Sequence, residues 1–503
     1  MSILLIFPPV AKPCEPPAGI AMLAGALRSH GLSCTLLDAN LEGLLALLAE
    51  PPAGNDTWSR RACRGLAANL AALRAPLLYE NPARYQRAVA DVNRVLGGIG
   101  QPHGLGLSLA NYQDGTLSPL SSRDLLRAAA RPEENVFYRY FSARLPQLLC
   151  QDSPALVGFS LNYLSQAVCT FAMIGFLKQR YPSLPVVLGG GLVTSWLRNP
   201  GWRNPFGGLV DHLVAGPGGE PLLELLGVEP RSAHHSPDYQ GLLLADYLAP
   251  GFILPYAASS GCYWNRCSFC PERAEGNPYL PLAPREVRAD LDRLVVGTGP
   301  VLLHLLDNAV SPALMQALAA APPGVDWYGF ARVSPILADE DFCRTLRNSG
   351  CLMLKLGLES GDQGVLDAMD KGIDLALVAR VLRALRRAGI ATYVYLLFGT
   401  PAENVTAARH TLAFVERHHE AITFLNLAVF NMPVCGPEAA SLAVNDFYDG
   451  DLSLYRDFVH PRGWDRRAVR TFLDQEFKRH PLVAAILRRD PSLFTSNHAP
   501  FFC

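Results

Sequence analysis

The sequence has almost no net charge, −1 over 503 residues, and no prominent run of lysine or arginine. A nucleic acid or an anionic membrane needs such a run to engage its phosphates, so neither is an expected partner. Long apolar runs are missing too. None reaches the roughly 18 residues a membrane-spanning helix requires, so no membrane span is expected. The opening stretch, Met1-Ser-Ile-Leu-Leu-Ile-Phe-Pro-Pro, lacks a basic leader and a cleavage site, and reads as a first strand rather than a signal peptide. The 12 cysteines are scattered, apart from one trio. That usage suits a reducing compartment where most are small buried hydrophobes, and the expected location is cytoplasmic. The chain is long enough for two or three domain cores.

The trio is the feature around which the rest is organised. Cys262, Cys267 and Cys270 fall in Gly-Cys-Tyr-Trp-Asn-Arg-Cys-Ser-Phe-Cys-Pro-Glu, after an apolar run at 252–258 that reads as a strand. Three thiolates on one short loop can hold three irons of a [4Fe–4S] cluster and leave the fourth open to a small molecule. A zinc knuckle is the other reading, and it needs a fourth Cys or His nearby. None lies between Pro271 and Leu303. The stretch resembles the cluster loop of the radical S-adenosylmethionine (SAM) enzymes, where the open iron chelates the amino and carboxylate groups of SAM. The family's usual spacing is three residues and then two; here it is four and then two, with Tyr263, Trp264 and Phe269 keeping the aromatic pattern.

Beyond the loop, strand and helix patterns alternate to make six βα units. This is the partial (β/α)6 barrel that the resemblance implies over 251–438, with its site at the C-terminal strand ends. Gly357-Leu358-Glu359-Ser360-Gly361 and the later Met369-Asp370-Lys371-Gly372 match a signature of the same family. The resemblance implies that Glu359 and Ser360 sit near the ribose and amino-acid part of SAM, a carboxylate being able to accept from two hydroxyls. Phe269, Asp307 and Asn308 would line the same site. Arg332 would meet the SAM carboxylate, and the turn at Gly399 would lie beside the adenine. Cys435, after the sixth strand, has two readings: a hydrogen donor or radical relay in the chamber, or an inert buried thiol.

The first half reads as a doubly wound α/β domain over 1–228, a Rossmann-like arrangement of parallel strands. Its strands end in a Pro-rich loop at Pro8, small polar residues at Ser160, Asn162, Ser165 and Gln166, and glycines at Gly189-Gly190-Gly191, Gly216 and Gly218 beside Glu220. Singly, each glycine is most simply a turn residue. Together, loops of this kind at strand ends form a ligand crevice. The order resembles the cobalamin-binding domain that precedes radical SAM domains in the class B radical SAM methyltransferases and their relatives, and implies that these loops cradle a corrin. The Asp-x-His-x-x-Gly motif of many cobalamin proteins does not occur, so the expectation is base-off binding without a histidine ligand. Residues 41–151 interrupt the strands and read as a helical insertion that caps the crevice. Residues 229–250 read as a linker and 439–503 as a helical C-terminal extension.

The resemblance implies reductive SAM cleavage to a 5′-deoxyadenosyl radical, with cobalamin-dependent methylation of an unactivated carbon as the leading activity. Radical cyclisation, rearrangement or C–C coupling without methyl transfer is an alternative. A non-catalytic corrinoid or cluster carrier is another, from a different class. The substrate is a small molecule or a peptide, and an electron donor such as flavodoxin or ferredoxin is the expected partner.

Overall fold

The computed structural model describes the chain apart from Met1, Asn55 and residues 231–233, 447–448 and 492–497. It divides into two compact units, one comprising the chain as far as Ile253 with the returning stretch 449–454, the other most of the remainder.

The first unit is built on five parallel strands: β1 (Ser2–Phe7), β2 (Ser33–Asp38), β3 (Leu156–Ser160), β4 (Val186–Gly189) and β5 (His212–Leu213). Their order is β2-β1-β3-β4-β5. The direction of winding reverses between β1 and β3, which is where ligand crevices open in doubly wound sheets. The strands are short apolar runs, and Ile3, Ile6, Val157, Val186 and Leu188 are wholly buried. The helix Ala18–Ser29 turns Ile20, Ala24 and Leu27 to this sheet.

The insertion carries long helices at Thr57–Leu73, Pro82–Gly100 and Tyr138–Asp152. A shorter one, Ser122–Ala130, crosses the sheet helix Leu164–Arg180 so closely that a Cβ on Gly175 would lie 1.9 Å from the Ala129 carbonyl oxygen. That part packs on the sheet helix. Tyr79 and Tyr85 lie near Cys14, in the loop that leaves β1.

The stretch expected as a linker is packed onto the first unit. The Asp238 amide donates to Ala21 O at 2.9 Å and the Leu248 amide to Pro13 O at 2.8 Å. A Cβ on Gly25 would lie 1.9 Å from Ser236 O, so the absent side chain is what lets this segment lie against the helix. Its composition reads as a spacer, but hydrogen bonds and close backbone approach fix it.

The second unit has six strands in sequential order: β6 (Ile253–Tyr256), β7 (Leu302–Leu305), β8 (Trp327–Ala331), β9 (Cys351–Glu359), β10 (Ala391–Phe398) and β11 (Phe424–Val429). The pairs from β7 to β11 are parallel, and helices at Pro284–Thr298, Pro312–Ala320, Glu340–Asn348, Leu375–Ala388 and Val405–His418 connect successive strands. This is the partial (β/α)6 barrel. The C-terminal extension is only partly helical. Val444–Asp446 and Tyr455–Phe458 are strands that pair with each other, and Met432–Pro433 completes a small antiparallel sheet. Helices follow at Arg466–Phe472 and Pro481–Leu487. Near the end, His498 is buried against the rings of Tyr393 and Phe424, early in β10 and β11.

Candidate active site at the C-terminal ends of the barrel strands

The cysteine loop starts where β6 ends, and a buried carboxylate fixes that start. Asp307, just beyond β7, accepts from the Ala258 amide at 3.1 Å and the Ser259 hydroxyl at 2.5 Å. Burial raises its pKa while these donors pull the other way. Asp307 is therefore a strut for the loop, both of its oxygens being engaged there. Its neighbour Asn308 is exposed. Gly261 opens the loop at φ +73°, and a Cβ there would lie 2.3 Å from Pro278 O, so no other residue fits.

Cys267 is almost buried, and Cys262 and Cys270 are half-buried. Burial raises the thiol pKa of Cys267, while the Lys371 and Arg332 cations lower it. Cys270 is raised by burial and lowered by the backbone N–H groups of Arg273 and Glu272, at the start of the short helix Pro271–Ala274. Burial wins at both thiols, which sit above the ordinary value; the cations and amides offset part of the cost of the thiolate, the form that binds metal. Among the described residues, no three His, Cys, Asp or Glu side chains converge where one ion could be held. A four-iron cube makes a different demand, because each thiolate reaches its own iron.

The loop is clasped by the segment that follows β9. The Ser268 amide donates to Met369 O at 2.9 Å, and the Trp264 indole N–H to Asp370 O at 3.0 Å. Gly372, at φ +64°, lies flat against Trp264, and a Cβ there would be 2.0 Å from the indole. The guanidinium of Arg332 stacks 4.3 Å over the same ring. Its Nη1 lies 3.8 Å from Cys267 Sγ and its Nη2 donates to Lys371 O at 2.5 Å. Arg332 was expected at the SAM carboxylate; here its fork binds the cluster loop to the clasp.

Glu359 reaches the site through two local irregularities. The pairing of β9 with β10 slips between Gly357 and Glu359, and Glu359 itself has φ +69°, unusual for a residue with a side chain. Its carboxylate meets Lys371 Nζ at 2.8 Å, with both side chains largely buried. A Cβ on Gly357 would lie 2.6 Å from Glu359 Oε1 and 2.8 Å from Lys371 Nζ, so the bare glycine makes room for the pair. Lys371 Nζ also lies 5.5 Å from the centre of the Phe269 ring. Lys371 lies within the signature but has no role assigned from the sequence, because nothing local pairs it with a carboxylate twelve residues earlier. Lys355 was missed as well. It is buried on the same face of β9, with Nζ 3.4 Å from His304 Nε2 and 4.8 Å from the Phe330 ring centre. Ser360 is wholly buried, its hydroxyl shared between Thr411 at 3.2 Å and the Asp362 amide at 3.1 Å, which leaves it a structural part.

Gly399 follows β10 at φ +82°, and its amide donates to Glu403 Oε2 at 2.5 Å. Cys435 is half-buried; burial raises its thiol pKa and the charge of Glu275, just past the cluster-loop helix, adds to the effect. That places it near the loop.

In the first unit the candidate crevice residues are largely engaged with one another. Gln166 is wholly buried; its Nε2 donates to Pro8 O at 2.7 Å and its Oε1 accepts from the Asn162 and Tyr163 amides. The Ser165 hydroxyl donates to Val10 O at 2.8 Å. Asn162 joins Ser160 Oγ at 3.0 Å to the Gly191 amide at 2.9 Å. These bonds shape the β1 and β3 loops. A Cβ on Gly190 would lie 2.4 Å from Leu161 O, so this glycine answers a backbone contact. Gly189 and Gly191 have only ordinary neighbours, Gly216 has none within 4 Å, and Gly218 approaches Leu23 at 3.3 Å. Glu220 is exposed.

Residues 256–415 match the family model of the Radical SAM superfamily, so the barrel carrying the three cysteines is a radical SAM domain. Such a domain works with a [4Fe–4S] cluster and SAM, and the clasped thiol loop with its cations fits that pair. Among curated proteins, the tryptophan 2-C-methyltransferase of Streptomyces laurentii is 26% identical over 211 residues, 38% of this chain and 35% of that protein. The match thus spans about a third of the relative's length. Among solved structures, the radical SAM methyltransferase TsrM of Kitasatospora setae, with tryptophan and a SAM analogue bound, has a TM-score of 0.57 at 16% identity, covering 97% of this chain and 89% of that one. The cobalamin-dependent SAM radical enzyme OxsB with aqua-cobalamin has a TM-score of 0.56 at 13% identity, covering 95% and 67%. The fold is therefore a Rossmann-like unit followed by a radical SAM barrel.

Proposed function

We propose that the protein is a cobalamin-dependent radical SAM enzyme that methylates an unactivated carbon of a small molecule or peptide. The observation that carries the reading is the clasp. The loop bearing Cys262, Cys267 and Cys270 is held to residues 369–372, and that segment brings Lys371 to Glu359 at the strand ends. Cluster ligands and a cation–carboxylate pair suited to SAM's amino-acid and ribose groups are thus fixed in one frame.

The three cysteines would hold the cluster, and Arg332 would direct an N–H at the sulfur of Cys267, which tunes a cluster's potential. Glu359 would accept from the ribose hydroxyls, and Lys371 would turn from it toward the SAM carboxylate. A cluster held there would pass on the electron, taken from an external reductant, that reductive cleavage of the SAM sulfonium needs. The likeness in fold to TsrM, solved in a second structure with cobalamin and a [4Fe–4S] cluster bound, supports a corrin in the first unit. There the loops after β1, β3 and β4 line the switch-point crevice, and the open surroundings of Gly191 and Gly216 leave room for a flat ligand.

The test needs no knowledge of the substrate. Anaerobically reconstituted protein, supplied with cobalamin, a reductant and methyl-labelled SAM, should transfer label to the corrinoid fraction with release of S-adenosylhomocysteine, and should cleave further SAM to methionine and 5′-deoxyadenosine. A corrinoid fraction that never acquires label would refute methyl transfer and favour rearrangement or coupling chemistry. Absence of SAM cleavage altogether would favour the carrier reading.

A further inference from the structure

The turn that leaves β10, residues 399–403, is gripped from behind by a segment some 60 residues later in the chain. His460 Nε2 donates to the Thr400 carbonyl at 2.9 Å. Its Nδ1 accepts the amides of Arg462 at 3.1 Å and Trp464 at 3.2 Å, which fixes the tautomer. The Trp464 indole N–H donates to Glu403 Oε2 at 2.9 Å, the same oxygen that receives the Gly399 amide. Val469 closes the grip, 3.2 Å from where a Cβ on Gly399 would sit. His460, Trp464 and Glu403 are all buried, and Glu403 has no exposure at all. Its second oxygen and the Thr400 hydroxyl are buried without partners.

A strand-end turn can close by itself, and this one is instead completed by a remote histidine and tryptophan. We propose that His460 and Trp464 are positioning residues that hold turn 399–403 in the shape that receives the adenosyl end of SAM. This rests on the SAM-cleaving reading of the barrel. Neither residue touches the cofactor; both act through Thr400 and Glu403.

The grip is also sensitive to pH. Burial pushes Glu403 up to about 7, against the Gly399 amide and the Trp464 indole, and the charge of Asp362 adds to the rise. A carboxyl raised in the folded state contributes stability below its ordinary pKa and loses it as pH rises through the folded one. The folding stability that Glu403 contributes should therefore fall as pH rises from about 4.5 to about 7.

The experiment uses the full chain with its cluster reconstituted anaerobically. Equilibrium dialysis gives SAM affinity, hydrogen exchange of peptides covering 399–403 reports the turn, and iron content with thermal melting reports folding. His460→Asn and Trp464→Phe each remove one donor to the turn. Both should speed exchange there, weaken SAM binding about tenfold and spare the rate of 5′-deoxyadenosine formation at saturating SAM. Glu403→Ala should behave likewise, and Glu403→Gln, whose side-chain oxygen can still accept from Gly399 and Trp464, should restore most of the affinity. Faster exchange with SAM affinity unchanged would overturn the proposal, as would unaltered exchange in both donor variants. If the wild-type protein itself neither binds nor cleaves SAM, the SAM-cleaving reading fails instead.

Discussion

Glu359 shows how a single side chain acquires its place. A slipped register and a left-handed backbone turn it onto Lys371 above a bare Gly357. Replacing Lys371 with Met leaves a largely buried carboxylate without its cation, and Glu359→Ala removes an acceptor from the ribose pair. Each should weaken SAM binding by roughly tenfold to a hundredfold, an effect of about 1–3 kcal/mol, measured by dialysis on cluster-loaded protein. Cys262→Ala, Cys267→Ala and Cys270→Ala should lose iron and abolish SAM cleavage while the first unit keeps its melting transition. Full 5′-deoxyadenosine formation by any of the three would remove the cluster assignment. Cys435→Ala belongs with the inert thiols and should leave products unchanged.

At the scale of elements, the clasp and the strand ends decide behaviour. Gly372→Ala forces a methyl into the Trp264 indole and should loosen the cysteine loop, read as slower cluster reconstitution with the barrel still folded. In the first unit, β2 ends on Asp38, which caps the helix Ala39–Ala49 through the Leu41 amide and accepts from the Tyr247 hydroxyl at 2.7 Å. Burial lifts its pKa from 3.8 to about 6. Its contribution is present below about pH 4 and lost as pH rises to about 6, a change of at most about 3 kcal/mol. Melting temperatures of wild-type protein and Asp38→Asn should therefore converge or cross as pH rises from about 4 to about 6, the wild type losing ground. Parallel curves would show that Asp38 stays in one charge state. The same hydroxyl explains why 234–250 is no free spacer: Tyr247 is its anchor.

For the whole molecule, the question is whether the first unit holds a corrin. Gly190 cannot test this, since a side chain there would strike the Leu161 backbone and disturb the fold. Gly191 can, because its neighbours stand at ordinary distances. Gly191→Leu should keep the melting transition and the iron content yet lower cobalamin uptake about tenfold or more. Normal uptake would move the corrin away from the loop after β4.

Both architectures were legible in the sequence, because short apolar runs alternating with amphipathic helices admit few arrangements once βα order and right-handed crossover are imposed. The three cysteines were legible for a similar reason: their chemistry is local and their spacing lies within one loop. The roles of single polar residues were not. Asp307, Arg332, Ser360 and Gln166 read as ligand contacts because strand-end polar groups usually are, whereas the fold engages their hydrogen-bonding atoms in securing loops. Lys371, Lys355, His460 and Trp464 lie far in the chain from the residues they meet. Such pairings depend on which loops the folded barrel brings together, and on bulges and positive φ angles that no local pattern announces. Periodicity determined the α/β layering and the cysteine loop carried the resemblance to a family; packing decided which side chains remain available to a ligand.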